Sequence, residues 1–278
     1  MSRRLCHDFL CNADWAWRSI SAAYATGLTF SEETITETIL LRLKIRNHSR
    51  LLLKPFSKKE ERLNGADWEW WIGRDGNWIG MRVQAKRITL PDETYKSIFY
   101  KAKKANQMQI DYLIKQAQKA NPPLIPIYTL YTYSNNLPVL RKQCDHCFPR
   151  HYRRFFNSGC LVAHAQDVLA EGSIKLSNIA PFAFPWHCLV CECQQQGNGS
   201  SGPADHIASL FRRTAAEVGE DFVDRPSRFL PDPVRELPQH IQLLRSGDDP
   251  QGRNFEKYAE EWNLGGIAVF DLEEGIDE

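Results

Sequence analysis

The stretch GADWEWWIGRDGNWIGMRVQAKR, residues 65–87, decides which fold we expect for this chain. It contains two apolar, aromatic runs, at about 65–72 and 78–88, and such runs are typical of β-strands. Between them, residues 73–77 read Gly-Arg-Asp-Gly-Asn, which is the composition of a hairpin turn. The stretch therefore predicts two strands that pair antiparallel.

Polar side chains follow one face of each expected strand. Because side chains alternate along a strand, Asp67 and Glu69 share a face, and Gln84 and Lys86 share a face on the next strand. Carboxylate and amide oxygens are ligands that Mg²⁺ or Mn²⁺ prefers. A lysine can orient a metal-bound water or offset the charge that builds on a phosphate. Together these residues predict metal-assisted hydrolysis of a phosphodiester.

The same residues also allow a simpler interpretation. Asp67 and Lys86 could form a partly solvated ion pair on a wet sheet face, with no chemistry attached. Glu69 has two interpretations as well, as a further carboxylate of the site or as a charge at its rim.

The elements around the hairpin indicate an α/β fold. A helix is expected over 5–25, and Ser31 begins a second helix with acids in its first turn. A strand follows at 50–56, then the hairpin, a helix at 92–120 and a buried strand at 124–133. This order predicts a three-layer α/β domain with a mixed central sheet.

The rest of the chain predicts additions to that core. We expect N-terminal helices and a core in residues 1–133, followed by a Cys-rich segment at 134–193. Residues 194–203 have the composition of a flexible loop. A C-terminal helical region at 204–278 contains a late strand at about 265–272.

Composition limits the class of protein. The chain has 278 residues, a net charge of +1 and a mean hydropathy of −0.46, so any basic surface must be local. No apolar run approaches the ~18 residues that cross a bilayer, and we expect a cytoplasmic protein without a signal peptide or membrane contact. Its eight cysteines are then expected to be thiols or metal ligands.

The residues Gly-Ala-Asp, ending at Asp67, and Gln-Ala-Lys, ending at Lys86, resemble the metal motif of the PD-(D/E)xK nuclease superfamily. The resemblance is greatest to the Mrr-like branch, whose motif has the form D…QxK. It covers residues 31–133, less than half of the chain, with the metal motif in residues 31–88. Gln84 stands where Glu is more common, so the site has one fewer negative charge.

This resemblance implies a restriction-endonuclease-like core and a Mg²⁺-dependent endodeoxyribonuclease that leaves 5′-phosphate ends. Asp67, Gln84 and Glu37 would hold the metal, with Glu33 as an alternative to Glu37, and Lys86 would act on water or phosphate. A bacterial defence effector, a homodimer and a defence-system partner protein are further expectations by analogy. The alternative is a catalytically weak module on the same fold that binds nucleic acid or protein.

Two basic regions are candidates for DNA contacts. One is the expected helix at 92–120, in which Gln109 and Tyr112 also loosely resemble a Gln…Tyr motif of some superfamily members. The other is Arg-His-Tyr-Arg-Arg-Phe-Phe at 150–156, which mixes arginines with aromatic rings. Solvated basic helix faces are the simpler interpretation of both. The candidate contacts are Lys96, Lys103, Lys104, Arg150, Arg153 and Arg154.

Cysteine pairs suggest a structural zinc site. Two C-x₂-C pairs could fill a closed tetrahedral site that stabilises either kind of protein, although buried free thiols are the simpler explanation. The pairs are Cys144 with Cys147 and Cys188 with Cys191. A Cys160–His164 nucleophile is a further alternative, but no third orienting group accompanies it.

Overall fold

The computed structural model describes most of the chain. The described residues are 3–47, 49–56, 68–101, 107–135, 158–191, 202–217, 228–247, 253–262 and 264–272.

The described residues form eight α-helices and seven strands. The helices are α1 Arg3–Thr26, α2 Glu32–Arg46, α3 Gln109–Lys119, α4 Ala165–Glu171, α5 Leu176–Ile179, α6 Pro203–Glu217, α7 Gln239–Ser246 and α8 Arg253–Trp262. The strands are β1 Leu51–Pro55, β2 Trp68–Arg74, β3 Asn77–Arg87, β4 Ile125–Tyr131, β5 Cys160–His164, β6 Phe184–Pro185 and β7 Gly266–Asp271.

All seven strands belong to one mixed sheet. Their order is β1-β7-β2-β3-β4-β5-β6. β2 pairs antiparallel with β3 and parallel with β7, while β3 and β4 are parallel and joined through α3. The expected α/β class and mixed sheet are confirmed, and the order α2-β1-β2-β3-α3-β4 matches the prediction.

The β2–β3 hairpin forms as the sequence predicts. Its turn is two residues long, and both Asp75 (φ 44°) and Gly76 (φ 73°) have positive φ, which a tight hairpin of this twist requires. Glu69 pairs with Arg82 across the two strands, so the polar faces meet as expected.

Helices cover both faces of the sheet. One face buries Trp70, Ile72 and Met81 in the larger apolar cluster, together with side chains of α1, α2 and α6. The other face buries Trp71 and Val269 in a second cluster, which includes side chains of α3 and α7. Glu69, Arg82, Gln84 and Lys86 lie on this second face.

The expected helix at 92–120 is wrong over its first half. α3 begins only at Gln109, and residues 89–100 form turns, with Thr94 bridged to both Thr89 and Lys175. Tyr95 and Ile98 are fully buried in these turns, three residues apart, and so they have the spacing of a helix without forming one.

The segments expected as additions contribute strands to the central sheet. β7, near the C-terminus, lies between β1 and β2, and β5 and β6 of the Cys-rich segment extend the other edge. The helix α7 was not predicted. Among the residues with described structure, no helix is long and apolar enough to cross a membrane.

Candidate active site

Lys86 lies near the C-terminal end of β3 and is only 5% exposed. Its Nζ donates a hydrogen bond to Oε1 of Gln109, the first residue of α3, at 3.4 Å. It also lies 3.9 Å from Oε1 of Glu32, the first residue of α2. Two helices therefore bring polar side chains to one buried lysine at the end of the sheet.

Glu32 is held in place by both its helix and the strand. Ser31 caps α2, because its Oγ accepts a hydrogen bond from the backbone N–H of Thr34 at 3.1 Å. The second carboxylate oxygen of Glu32 accepts a hydrogen bond from the backbone N–H of Arg87 at 3.1 Å. An acid in the first turn of a helix is also favoured by the helix dipole. These contacts place a carboxylate beside Lys86.

One turn along α2, a second contact ties the helix to the sheet. The hydroxyl groups of Thr36 and Tyr131 lie 2.8 Å apart, and both residues are buried. Tyr131 pairs with Arg87 at the end of β4. The approach of α2 to the end of β3 is therefore fixed by two polar contacts from the same helix face.

Gln84 lies two residues before Lys86 on the same face of β3 and is 1% exposed. Its side-chain oxygen Oε1 is buried and has no hydrogen-bond partner among the described residues. A buried acceptor that makes no hydrogen bond costs about 1–3 kcal/mol. The oxygen is thus suited to receive a water or a cation.

Glu69 belongs to a different buried network. Its Oε1 accepts hydrogen bonds from Nε1 of Trp71 at 2.8 Å and Nε2 of His240 at 2.9 Å. Its Oε2 accepts one from the hydroxyl of Tyr258 at 3.0 Å and lies 3.5 Å from Nη2 of Arg82. Four donors therefore surround this carboxylate.

The electrostatics of Glu69 follow from these donors. Burial alone would raise the pKa of Glu69, but the hydrogen bond from His240 and the charge of Arg82 lower it below the usual value. Both Glu69 and Arg82 are 0% exposed. Glu69 therefore binds α7 and α8 to the sheet, and its full burial excludes a rim charge, while its assignment as a site residue stays a prediction.

The structure describes four of the five expected site residues. These are Gln84, Lys86, Glu69 and Glu37, whereas Asp67 lies outside the described residues. Glu37 is exposed on α2, and the acid of this helix that approaches Lys86 is Glu32. Sequence reasoning missed Glu32, although the apolar periodicity of α2 contained the signal, as discussed below.

Of the expected DNA contacts, only Lys96 is described. It is exposed and lies 3.6 Å from Asp92, in a turn and not on the expected helix. The other candidates lie outside the described residues: Lys103, Lys104, Arg150, Arg153 and Arg154.

The described residues on either side of segment 136–157 contact each other at the end of the sheet that carries Lys86. The backbone N–H of Thr132, just after β4, donates to the carbonyl oxygen of Gly159, just before β5, at 2.9 Å. Glu93 accepts hydrogen bonds from the Ser134 hydroxyl at 2.6 Å and the Asn135 backbone at 3.2 Å. The residues that flank the Arg-rich sequence therefore lie at the end of the sheet where β3 ends.

Four of the five described cysteines are buried, and Cys11 is half-buried. Cys188 and Cys191 lie in the core, while Cys144 and Cys147 of the proposed zinc set are not among the described residues. Within the described part of the chain, no group of three or more His, Cys, Asp or Glu side chains is arranged to hold a metal.

The Cys160–His164 pair is not a nucleophilic pair. The two residues lie at opposite ends of β5, about 13 Å apart by strand geometry. Burial raises the pKa of the Cys160 thiol, which disfavours the thiolate. His164 caps α4 through Nδ1 and donates from Nε2 to the carbonyl oxygen of Phe229 at 3.2 Å. That alternative is therefore wrong.

Comparison with known proteins gives a family but no activity. Residues 5–272 match the model of a family described as "Family of unknown function (DUF6615)". No curated protein and no solved structure matches the chain.

Proposed function

This chain belongs to DUF6615, a family of unknown function, and we propose that it is a metal-dependent nuclease that hydrolyses DNA phosphodiester bonds. The observation that carries the proposal is the arrangement at the end of β3. Buried Lys86 contacts Gln109 and Glu32, and Gln84 beside it has a buried oxygen without a partner among the described residues. This arrangement supports the proposal, because the PD-(D/E)xK resemblance implies a helix acid, a strand amide and a strand lysine at one site.

The oxygen atoms of this site are suitable ligands for a hard divalent cation. The Gln84 amide oxygen and the Glu32 carboxylate are oxygen ligands, and Asp67, which directly precedes β2 in the sequence, adds a second carboxylate to the proposed set. When bound there, Mg²⁺ or Mn²⁺ would lower the pKa of a coordinated water and neutralise charge on a phosphate. Glu69 is not part of this set because four donors already surround its carboxylate.

Lys86 has a role of its own in this proposal. An ammonium group has three N–H donors, and among the described residues only Gln109 lies within hydrogen-bond distance of Nζ. A further donor can therefore orient an attacking water or bind a non-bridging phosphate oxygen. Glu32 and Gln109 act as positioning residues, because they fix the direction of the amine.

DNA is the proposed substrate because an arginine-rich sequence connects β4 to β5 next to the end of β3. Segment 136–157 contains Arg150, Arg153 and Arg154, and the residues that bracket it meet at the sheet edge where β3 ends. Arginines of this kind contact phosphates without reading sequence. A cytoplasmic defence effector, which could act as a homodimer or with a partner protein, is the biological setting that we propose by analogy.

The proposal is tested by cleavage of supercoiled plasmid and of labelled single strands in Mg²⁺, Mn²⁺ or EDTA. We would compare the wild type with Lys86→Met and Asp67→Asn, and with Lys119→Met, which changes an exposed lysine at the far end of α3. We expect metal-dependent cutting that is lost in the first two variants and kept in the third.

Two outcomes would contradict the proposal. Cutting that survives Lys86→Met would place the chemistry elsewhere. No cutting by the wild type, with no Mg²⁺ or Mn²⁺ binding in calorimetry, would favour the binding module on the same fold.

A further inference from the structure

A residue with an exposed aromatic side chain contacts, through its backbone, the residue that positions Lys86. Tyr100 is 50% exposed, one of the few large apolar side chains at the surface. Its backbone carbonyl accepts a hydrogen bond from the backbone N–H of Gln109 at 3.0 Å. The side chain of Gln109 in turn accepts from Lys86 at 3.4 Å. The backbone of Tyr100 therefore lies beside the start of α3, next to the candidate active site.

The turn that carries Tyr100 is anchored to the core. Tyr95 is fully buried, its hydroxyl lies 2.7 Å from that of Thr132, and its backbone N–H donates to Ile174 at 2.8 Å. Ile98 is also fully buried, and the Tyr100 N–H donates to the carbonyl oxygen of Ser97 at 3.3 Å. A ring on an anchored backbone loses little conformational freedom when it binds a ligand.

The chemistry of the rim suits a nucleic-acid base. An exposed tyrosine ring offers an apolar face on which a base can stack, and every base has such a face. Lys101, the next residue, is exposed and adds a cation that can contact a phosphate. In a duplex the base faces are covered by their neighbours, whereas a single strand can turn a base onto the ring.

We propose that Tyr100 is a base-stacking residue that makes the active site prefer single-stranded DNA. This inference rests on the proposed nuclease function and adds the strand state of its substrate. It also makes Tyr100 a specificity residue, which binds the nucleotide beside the reacting phosphate while Lys86 acts on the phosphate itself.

The test measures binding without cleavage. A fluorescein-labelled oligo-dT strand and the corresponding dT·dA duplex are titrated in EDTA, and fluorescence anisotropy gives the two dissociation constants. The variants are Tyr100→Ala and Tyr100→Phe, with Tyr24→Ala as the matched control, because Tyr24 is also 50% exposed but lies on α1. We expect Tyr100→Ala to weaken single-strand binding by at least about fivefold, the low end of a lost stacking contact.

The other measurements separate stacking from general damage. Tyr100→Phe and Tyr24→Ala should bind the single strand like the wild type, and the duplex constants should not change. Equal binding by Tyr100→Ala and wild type, or no binding of oligo-dT by the wild type, would overturn the inference even if Lys86-dependent cutting is observed. Tyr100-dependent binding without any cutting would support the inference and contradict the nuclease.

Discussion

Neutralising Glu69 should destabilise the protein strongly. Glu69→Gln keeps the shape of the side chain, but it removes the one carboxylate that, among the described residues, pairs with the buried guanidinium of Arg82. The amide oxygen can still accept from two donors, whereas the amide nitrogen cannot accept from the other two. Breaking one partner of a buried ion pair costs about 3–5 kcal/mol, and we expect the free energy of unfolding to fall by that amount.

A double-mutant cycle separates the ion pair from the surrounding hydrogen bonds. Glu69→Met leaves the charge of Arg82 buried alone, while Glu69→Met with Arg82→Met leaves no buried charge in the pair. We therefore expect the double variant to be more stable than the sum of the single effects predicts, with a coupling of about 2 kcal/mol or more. His240→Asn provides a milder change, because it removes one hydrogen bond to a carboxylate and should cost about 1.5–3 kcal/mol.

Urea-induced unfolding at pH 7, followed by far-UV circular dichroism, measures these effects. Glu37→Gln is the matched control, because Glu37 is exposed and its neutralisation should change stability by no more than about 0.5 kcal/mol. A Glu69→Gln protein as stable as the wild type within about 1 kcal/mol would refute the structural role, since that result is typical of a carboxylate in a functional site.

Three further predictions concern stability. Burial lowers the pKa of His164 to about 4, so between pH 6.5 and pH 4 the unfolded chain binds more protons than the folded protein and stability falls as the pH falls. In urea titrations, His164→Asn should reduce this dependence by about 1.4 kcal/mol per pH unit near pH 5, and an unchanged slope would contradict the prediction. Gly159→Ala places its Cβ in steric clash with the carbonyl oxygen of Ala13, so we expect a loss of about 1–3 kcal/mol in the same assay, and no loss would show that α1 shifts freely. Lys86→Met should keep or raise the thermal midpoint, because it replaces a buried charge by an apolar chain, and a fall of several degrees would indicate that Lys86 is mainly structural.

The hairpin was predictable because its signals are local. The alternation of side chains and the Asp75–Gly76 turn both lie within the stretch itself. By contrast, the role of Glu69 depends on His240 and Tyr258, which lie 171 and 189 residues further along the chain. No pattern near Glu69 contains that information, so a buried structural acid and a site acid look alike in the sequence.

The helix acid could have been found from the sequence. At about 100° per residue, Glu32 lies about 60° from Ile35, whereas Glu37 lies about 160° from it. Ile39 and Thr36 are buried with Ile35, so Glu32 belongs to the inward arc of α2 and Glu37 does not. The family pattern places a glutamate on this helix without fixing its position, so it does not distinguish Glu37 from Glu32.

The place of β7 could not be predicted. The run Gly265 to Leu272 indicates a strand, but its composition does not say which strand it will join. β7 enters the sheet between β1 and β2, so the pairing depends on long-range packing, including the contacts of Glu69 with α7 and α8. Local propensity specifies elements more strongly than it specifies their neighbours.

The central claim is that Lys86, Gln84 and Glu32 form one active site, and a matched pair of variants on α2 tests it most directly. We would measure the rate of Mg²⁺-dependent plasmid cleavage by Glu32→Gln and Glu37→Gln, after confirming that both proteins fold like the wild type. We expect Glu32→Gln to be slower by about 10- to 100-fold, because it removes a metal ligand or its support, and Glu37→Gln to cut at the wild-type rate. Equal rates for the two variants, or a loss confined to Glu37→Gln, would contradict the account.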